Sequence, residues 1–182
     1  MDLDDYNPFV DEAAELAGSL LGESERAAVI LAASSIDVGL EKLLQHVLHP
    51  CAGGEDSLFD SDRALGTFSA KILIAHRLGL INGDFERAIQ LLRRIRNDFA
   101  HQLGNETLAS GRQQGRLQEL RRLFRNSTMY KVMMKKLPAG AEKHYGAKIY
   151  IVLCTVCILA QLHIGLTSQK RVDVGRPLSL DP

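Results

Sequence analysis

The chain has 182 residues, enough for one domain with a real hydrophobic core. Hydrophobic residues make up 46% and aromatic residues 5%, with no Trp, so the core has to be built from Leu, Ile, Val and Ala, a helical composition. A formal net charge of zero excludes a global field drawing the chain to nucleic acid or membrane, but the charges are unevenly spread. Only acids precede Arg26, whereas between 112 and 136 the single acid Glu119 faces Arg112, Arg116, Arg121, Arg122, Arg125, Lys131, Lys135 and Lys136.

Asn7 followed by Pro8 signals a first helix that runs to about Gly22. Ser24 can cap a second, "ERAAVILAASSIDVGLEKLLQHVL", which Pro50 ends. The stretch "CAGGEDSLFDSDRALG" is rich in Gly, Asp and Ser and lacks a helical period, so it is a loop, and Leu58, Phe59 and Leu65 imply that it packs down. A third helix, "TFSAKILIAHRLGL", is separated by "NGD" from a fourth, "FERAIQLLRRIRNDFAHQL", which Gly104 stops. The basic segment is helical over "RQQGRLQELRRLF", and Pro138-Ala139-Gly140 breaks it.

Ile149 to Leu166 carries no Asp, Glu, Lys or Arg and is almost long enough to cross a membrane. Gln161, His163 and Gly165 argue instead for the buried central helix of a bundle, in contact with the second and fourth helices. The expected domain is therefore 1–168, with 169–182 a frayed tail. Cys51, Cys154 and Cys157 are odd in number, and the acidic N-terminus lacks the basic and apolar regions of a signal peptide. A cytoplasmic location is the expectation, with no membrane partner. Cys154 and Cys157 spell C-x-x-C inside an apolar run without a second pair, so they are expected to be buried small hydrophobes. His46, His49, His76, His144 and His163 have no ligand spacing, and no metal or cofactor is expected.

The chemistry concentrates in "RRIRNDFAH", residues 93–101. At 100° per residue Ala88, Leu91, Leu92, Ile95 and Phe99 form the core face, leaving Gln90, Arg93, Arg94, Asn97 and His101 opposite. Asn97 and His101 are neighbours at i, i+4, Arg94 and Asp98 are spaced for an ion pair, and Arg96 lies at the stripe's edge, its stem on the core. An imidazole that titrates near neutrality can move protons to or from RNA hydroxyls, while guanidiniums stabilise charge on a phosphoryl group. One His cannot serve as acid and base at once, so a symmetric pair of helices in a homodimer would complete the set.

Arg96-Asn97-Asp98-Phe99-Ala100-His101 resembles the R-x(4–6)-H motif of the HEPN superfamily. The wider stretch "LFDSDRALGTFSAKILIAHRLGLINGDFERAIQLLRRIRNDFAH" is similar to the mannitol operon repressor-like family, related to HEPN-like helical domains; the likeness covers roughly residues 25–165. It implies an all-α HEPN-like bundle of about five to seven helices that dimerises. In active HEPN members the paired motifs form a metal-independent endoribonuclease, which would make Arg96, Asn97 and His101 the catalytic candidates here. RNA would be held by Arg93, Arg94, Arg112, Arg116, Arg121, Arg122 and Arg125, and a cognate antitoxin or regulatory protein is a further expected partner. Composition alone favours a solvated helix face over a site, and the resemblance reverses that order. The alternative it also implies is a non-catalytic regulatory domain, like a transcription repressor, whose polar helix face binds a protein or nucleic acid. A third reading is a helical scaffold whose basic segment meets a neighbour's acidic N-terminus.

Overall fold

The computed structural model describes residues 7–51, 53, 56–101, 106–109, 111–173 and 175, with side chains from residue 12 onward. The acids at 2, 4 and 5, the expected stop at Gly104 and the end of the tail lie outside the described residues. The fold is all-α: α1 (Asn7–Gly22), α2 (Glu25–Val47), α3 (Phe68–Arg77), α4 (Gly83–His101), α5 (Gly111–Phe124), α6 (Thr128–Lys136), α7 (Ala141–Tyr145) and α8 (Lys148–Ser168). The count among the described residues reaches eight because the basic segment breaks into separate short helices around Ser127 and Gly140.

Among the described residues, four of the eight helix starts carry a side-chain cap. Ser24 Oγ accepts from Ala27 N–H, Thr67 Oγ1 from Ala70 N–H, Asn82 Oδ1 from Phe85 N–H and Ser127 Oγ from Tyr130 N–H, at 3.1, 3.2, 2.9 and 3.3 Å. Each satisfies a donor that an open helix start leaves orphaned.

Helices α2, α4, α5 and α8 form a closed ring, each packed on the next, with α1 lying on α2 and α8, α3 on α2 and α4, and α6 and α7 on α8. The ring corrects one expectation. α8 packs on α2 as predicted, but α4 is not among its main neighbours, because the two stand diagonally opposite across the ring. The close α2–α8 approach depends on Gly39, where a Cβ would lie 3.0 Å from Leu162 Cδ1 and 3.3 Å from Leu159 Cδ2. α8 is long and apolar enough to cross a membrane, and two-thirds of its most apolar stretch, 67%, is buried within the bundle. Cys154 and Cys157 are buried in it and Cys51 is exposed.

The loop before α3 packs down as its apolar residues imply, with Phe59 and Leu65 buried and Leu58 left at the surface. The first part of the expected tail is tied down: Val172 N–H donates to the Val47 carbonyl at 2.7 Å, and His46 Nε2 lies 3.1 Å from the Gln169 carbonyl. Between α2 and α3, Lys71 is almost fully buried with its ammonium 2.8 Å from Asp37 Oδ1 and 2.7 Å from Glu41 Oε2. A buried cation needs such partners, and two carboxylates one helical turn apart supply them.

Candidate functional site

The core face of α4 is the predicted one, with Ala88, Leu91, Leu92, Ile95 and Phe99 buried, and Ile89 with them. α4 packs on α2, α3 and α5, which leaves one polar strip uncovered toward its C-terminal end. On that strip Arg94, Ala100 and His101 are exposed, and Arg93, Arg96 and Asn97 are half-buried. Arg96 Nη1 donates to Asn97 Oδ1 at 3.1 Å, and Arg93 Nε donates to Gln90 Oε1 at 3.0 Å. His101 is the last residue of the helix, one turn beyond Asn97. Arg96 and Asn97 are thus joined by a hydrogen bond, and His101 follows from helix periodicity.

Asp98 takes no part in this strip. Its Oδ2 accepts from Gln113 Nε2 at 2.9 Å and from Arg116 Nη1 at 2.8 Å, with Arg112 Nη1 at 3.8 Å, so the carboxylate locks α5 onto the last turns of α4. This replaces the i, i+4 pair with Arg94 that spacing suggests, because α5 brings a guanidinium and a fully covered amide to the same oxygen, while Arg94 points to solvent. Burial pushes the Asp98 carboxyl upward, but the hydrogen bonds from Gln113 and Arg116 and the charges of Arg116 and Arg112 outweigh it, and the group is held below the usual carboxylate range. Higher on the same helix pair, Arg87 and Glu119 meet at 2.8 Å, which accounts for the lone acid of the basic segment.

The basic residues of α5, with Arg125 just beyond it, divide among three directions. Arg112 and Arg116 turn toward Asp98, and Arg116 also reaches the Arg94 carbonyl at 3.3 Å. Arg121 faces α8, its guanidinium carbon 3.5 Å from the centre of the Tyr150 ring; burial pushes the Tyr130 phenol up to about 12 although the Arg121 charge favours its ionised form. Arg122 and Arg125 face solvent. Of the seven arginines assigned to RNA, Arg116 and Arg121 are therefore engaged inside the bundle.

Two residues at the start of α2 join the site unannounced by the sequence. The Arg26 guanidinium donates to the Phe99 carbonyl in the last turn of α4, and Glu25 Oε2 accepts from Leu108 N–H at 2.9 Å, just before α5. They lie 73 and 83 residues from their partners, so no local pattern could have flagged them.

A concavity of about 650 Å³ lies elsewhere, between α1, α2 and α8, lined by Leu16, Leu31, Val38, Gly39, Leu162 and His163 among others. Its lining also carries Glu12, Glu15, Lys42 and three serines, and none of residues 93–101 reaches it. Among the described residues no three His, Cys, Asp or Glu side chains come together as a metal set. Comparison with protein-family models, curated proteins and solved structures gives no match for this chain.

Proposed function

We propose that the chain is a metal-independent endoribonuclease of HEPN type, acting as a homodimer, in which Arg96, Asn97 and His101 form each copy's half of the active site. The observation that carries this reading is the division of labour within residues 96–101. Phe99 and Asp98 are consumed by the core and by α5, while Arg96, Asn97 and His101 remain together on an uncovered strip. A helix face serving solubility alone has no need to separate its polar groups in this way.

In the proposed reaction one His101 accepts the proton of an RNA 2′-hydroxyl as its oxygen attacks the adjacent phosphorus. The bond from phosphorus to the 5′-oxygen breaks, and the His101 of the second copy gives its proton to that oxygen. The products are a 2′,3′-cyclic phosphate and a 5′-hydroxyl, so no water and no metal enter the step. Arg96 stabilises the negative charge that builds on the non-bridging oxygens, and Asn97 holds the guanidinium in place through its side-chain carbonyl. Arg93, Arg94, Arg112, Arg122 and Arg125 supply backbone contacts with RNA. The purified protein incubated with total RNA should cut it equally with and without EDTA and leave cyclic phosphate ends. Absence of cleavage under both conditions defeats the proposal.

One observation favours the alternative, a non-catalytic regulatory domain like the mannitol operon repressor. With Arg116 and Arg121 engaged internally, the basic surface available to a polyanion is smaller than the sequence suggests. In that case the α4 strip is a docking face for a regulatory protein or a cognate antitoxin.

A further inference from the structure

Consecutive residues of α2 hold the chain on both sides of its exit from α4. Phe99 contributes one of the last carbonyls of α4, groups a helix end leaves without partners and where the helix dipole favours a cation. Arg26 fills that place. Nine positions further along, Leu108 enters the core with no exposed surface, and its N–H is taken by the Glu25 carboxylate. The last turn of α4, which carries His101, and Leu108 are therefore held by two anchors that sit side by side at the start of α2, itself fixed by the Ser24 cap. His101 ends the helix, so the place of its ring depends on whether the last turn stays wound.

We infer that Glu25 and Arg26 act as a clasp that positions His101, making them positioning residues of the candidate site. This rests on the ribonuclease reading of that site. Arg26 acts through the Phe99 carbonyl: by taking it, the guanidinium ends α4 at a fixed residue and holds the last turn against fraying. Glu25 fixes the chain at Leu108, beside the end of α4 that Arg26 holds. The Asp98 network braces the same turn from α5, on a different partner, and leaves the carbonyl end to Arg26.

The test uses the full chain with Arg26→Met, Arg26→Lys and Glu25→Ala. Met keeps an apolar stem but donates nothing, whereas Lys keeps a cationic donor. Amide exchange at His101 should quicken about tenfold or more in Arg26→Met and in Glu25→Ala, stay near wild type in Arg26→Lys, and be unchanged for the α8 core in all three. Cleavage of RNA should lose about 10- to 100-fold in kcat with KM unaltered in Arg26→Met, and recover in Arg26→Lys. Unchanged exchange at His101 in Arg26→Met overturns the clasp, as does a loss confined to KM, which would make Arg26 a substrate contact. If the wild type cuts no RNA while His101 exchange still responds to both variants, the clasp stands and the ribonuclease reading alone fails.

Discussion

Replacing Asp98 with Ala removes the joint between the last turns of α4 and α5, and the structure sets its cost. Gln113, only 1% exposed, loses the acceptor of its side-chain N–H, and the Arg116 side chain, 18% exposed, loses its carboxylate. A buried donor left unsatisfied costs about 1–3 kcal/mol, and breaking a mostly covered ion pair adds about 1 kcal/mol, more than a surface pair would. Asp98→Ala should therefore destabilise the chain by about 2–4 kcal/mol in a urea titration at pH 7. Arg94→Ala, at the partner that helix spacing alone would choose, should cost no more than about 0.5 kcal/mol. Double-mutant cycles separate the two accounts: Asp98 and Arg116 should couple by about 1–2 kcal/mol, and Asp98 and Arg94 by less than about 0.3 kcal/mol. The pH dependence follows from the lowered carboxyl pKa. The contribution is present above the unfolded value of about 3.9 and fades as pH falls through the lower folded value. The gap between wild type and Asp98→Ala should accordingly close below about pH 4. A larger coupling to Arg94 than to Arg116, or a gap that widens in acid, refutes the reasoning.

Three further outcomes are expected. Gly66→Ala places a Cβ 2.0 Å from the Asp60 carbonyl oxygen, backbone that cannot swing aside, so thermal unfolding should shift down by the equivalent of roughly 2–3 kcal/mol. Burial alone would lower the Lys71 pKa, but its bonds to Asp37 and Glu41 raise it on balance; the stability it lends is complete below its unfolded value of about 10.4 and lost as pH rises through the folded one, so calorimetry should show Lys71→Met and wild type converging only above that range. Burial pushes the Cys157 thiol up to about 12 and Cys154 well above its ordinary value, so a thiol reagent at pH 8 should label one cysteine, Cys51, in the native chain and three after unfolding.

Much of the frame could be read in the sequence because it is written in local rules. The cap at Ser24, the "NGD" break before α4, the apolar stripe of α4 and the charge-free run of α8 depend on spacings of a few residues. The same rules placed Arg93, Arg94, Asn97 and His101 on one strip. They could not say which guanidiniums remain available, since Arg116 turns to Asp98 and Arg121 to Tyr150 only once α5 is wedged between α4 and α8. Nor could they join Arg26 to Phe99, or separate α8 from α4, because both follow from the order of helices around the ring. Periodicity fixes which side of a helix is covered, and tertiary pairing decides by what.

The central claim is that the end of α4 performs chemistry on RNA. It is tested most directly by the cleavage rate of one RNA, in EDTA, by wild type and His101→Ala purified side by side, with unfolding curves to show that both are folded. The variant keeps the exposed helix end and loses only the proton-transfer group, so the account predicts an intact fold, nearly unchanged RNA affinity and cleavage reduced by about 100-fold or more. Equal cleavage by the two proteins contradicts it.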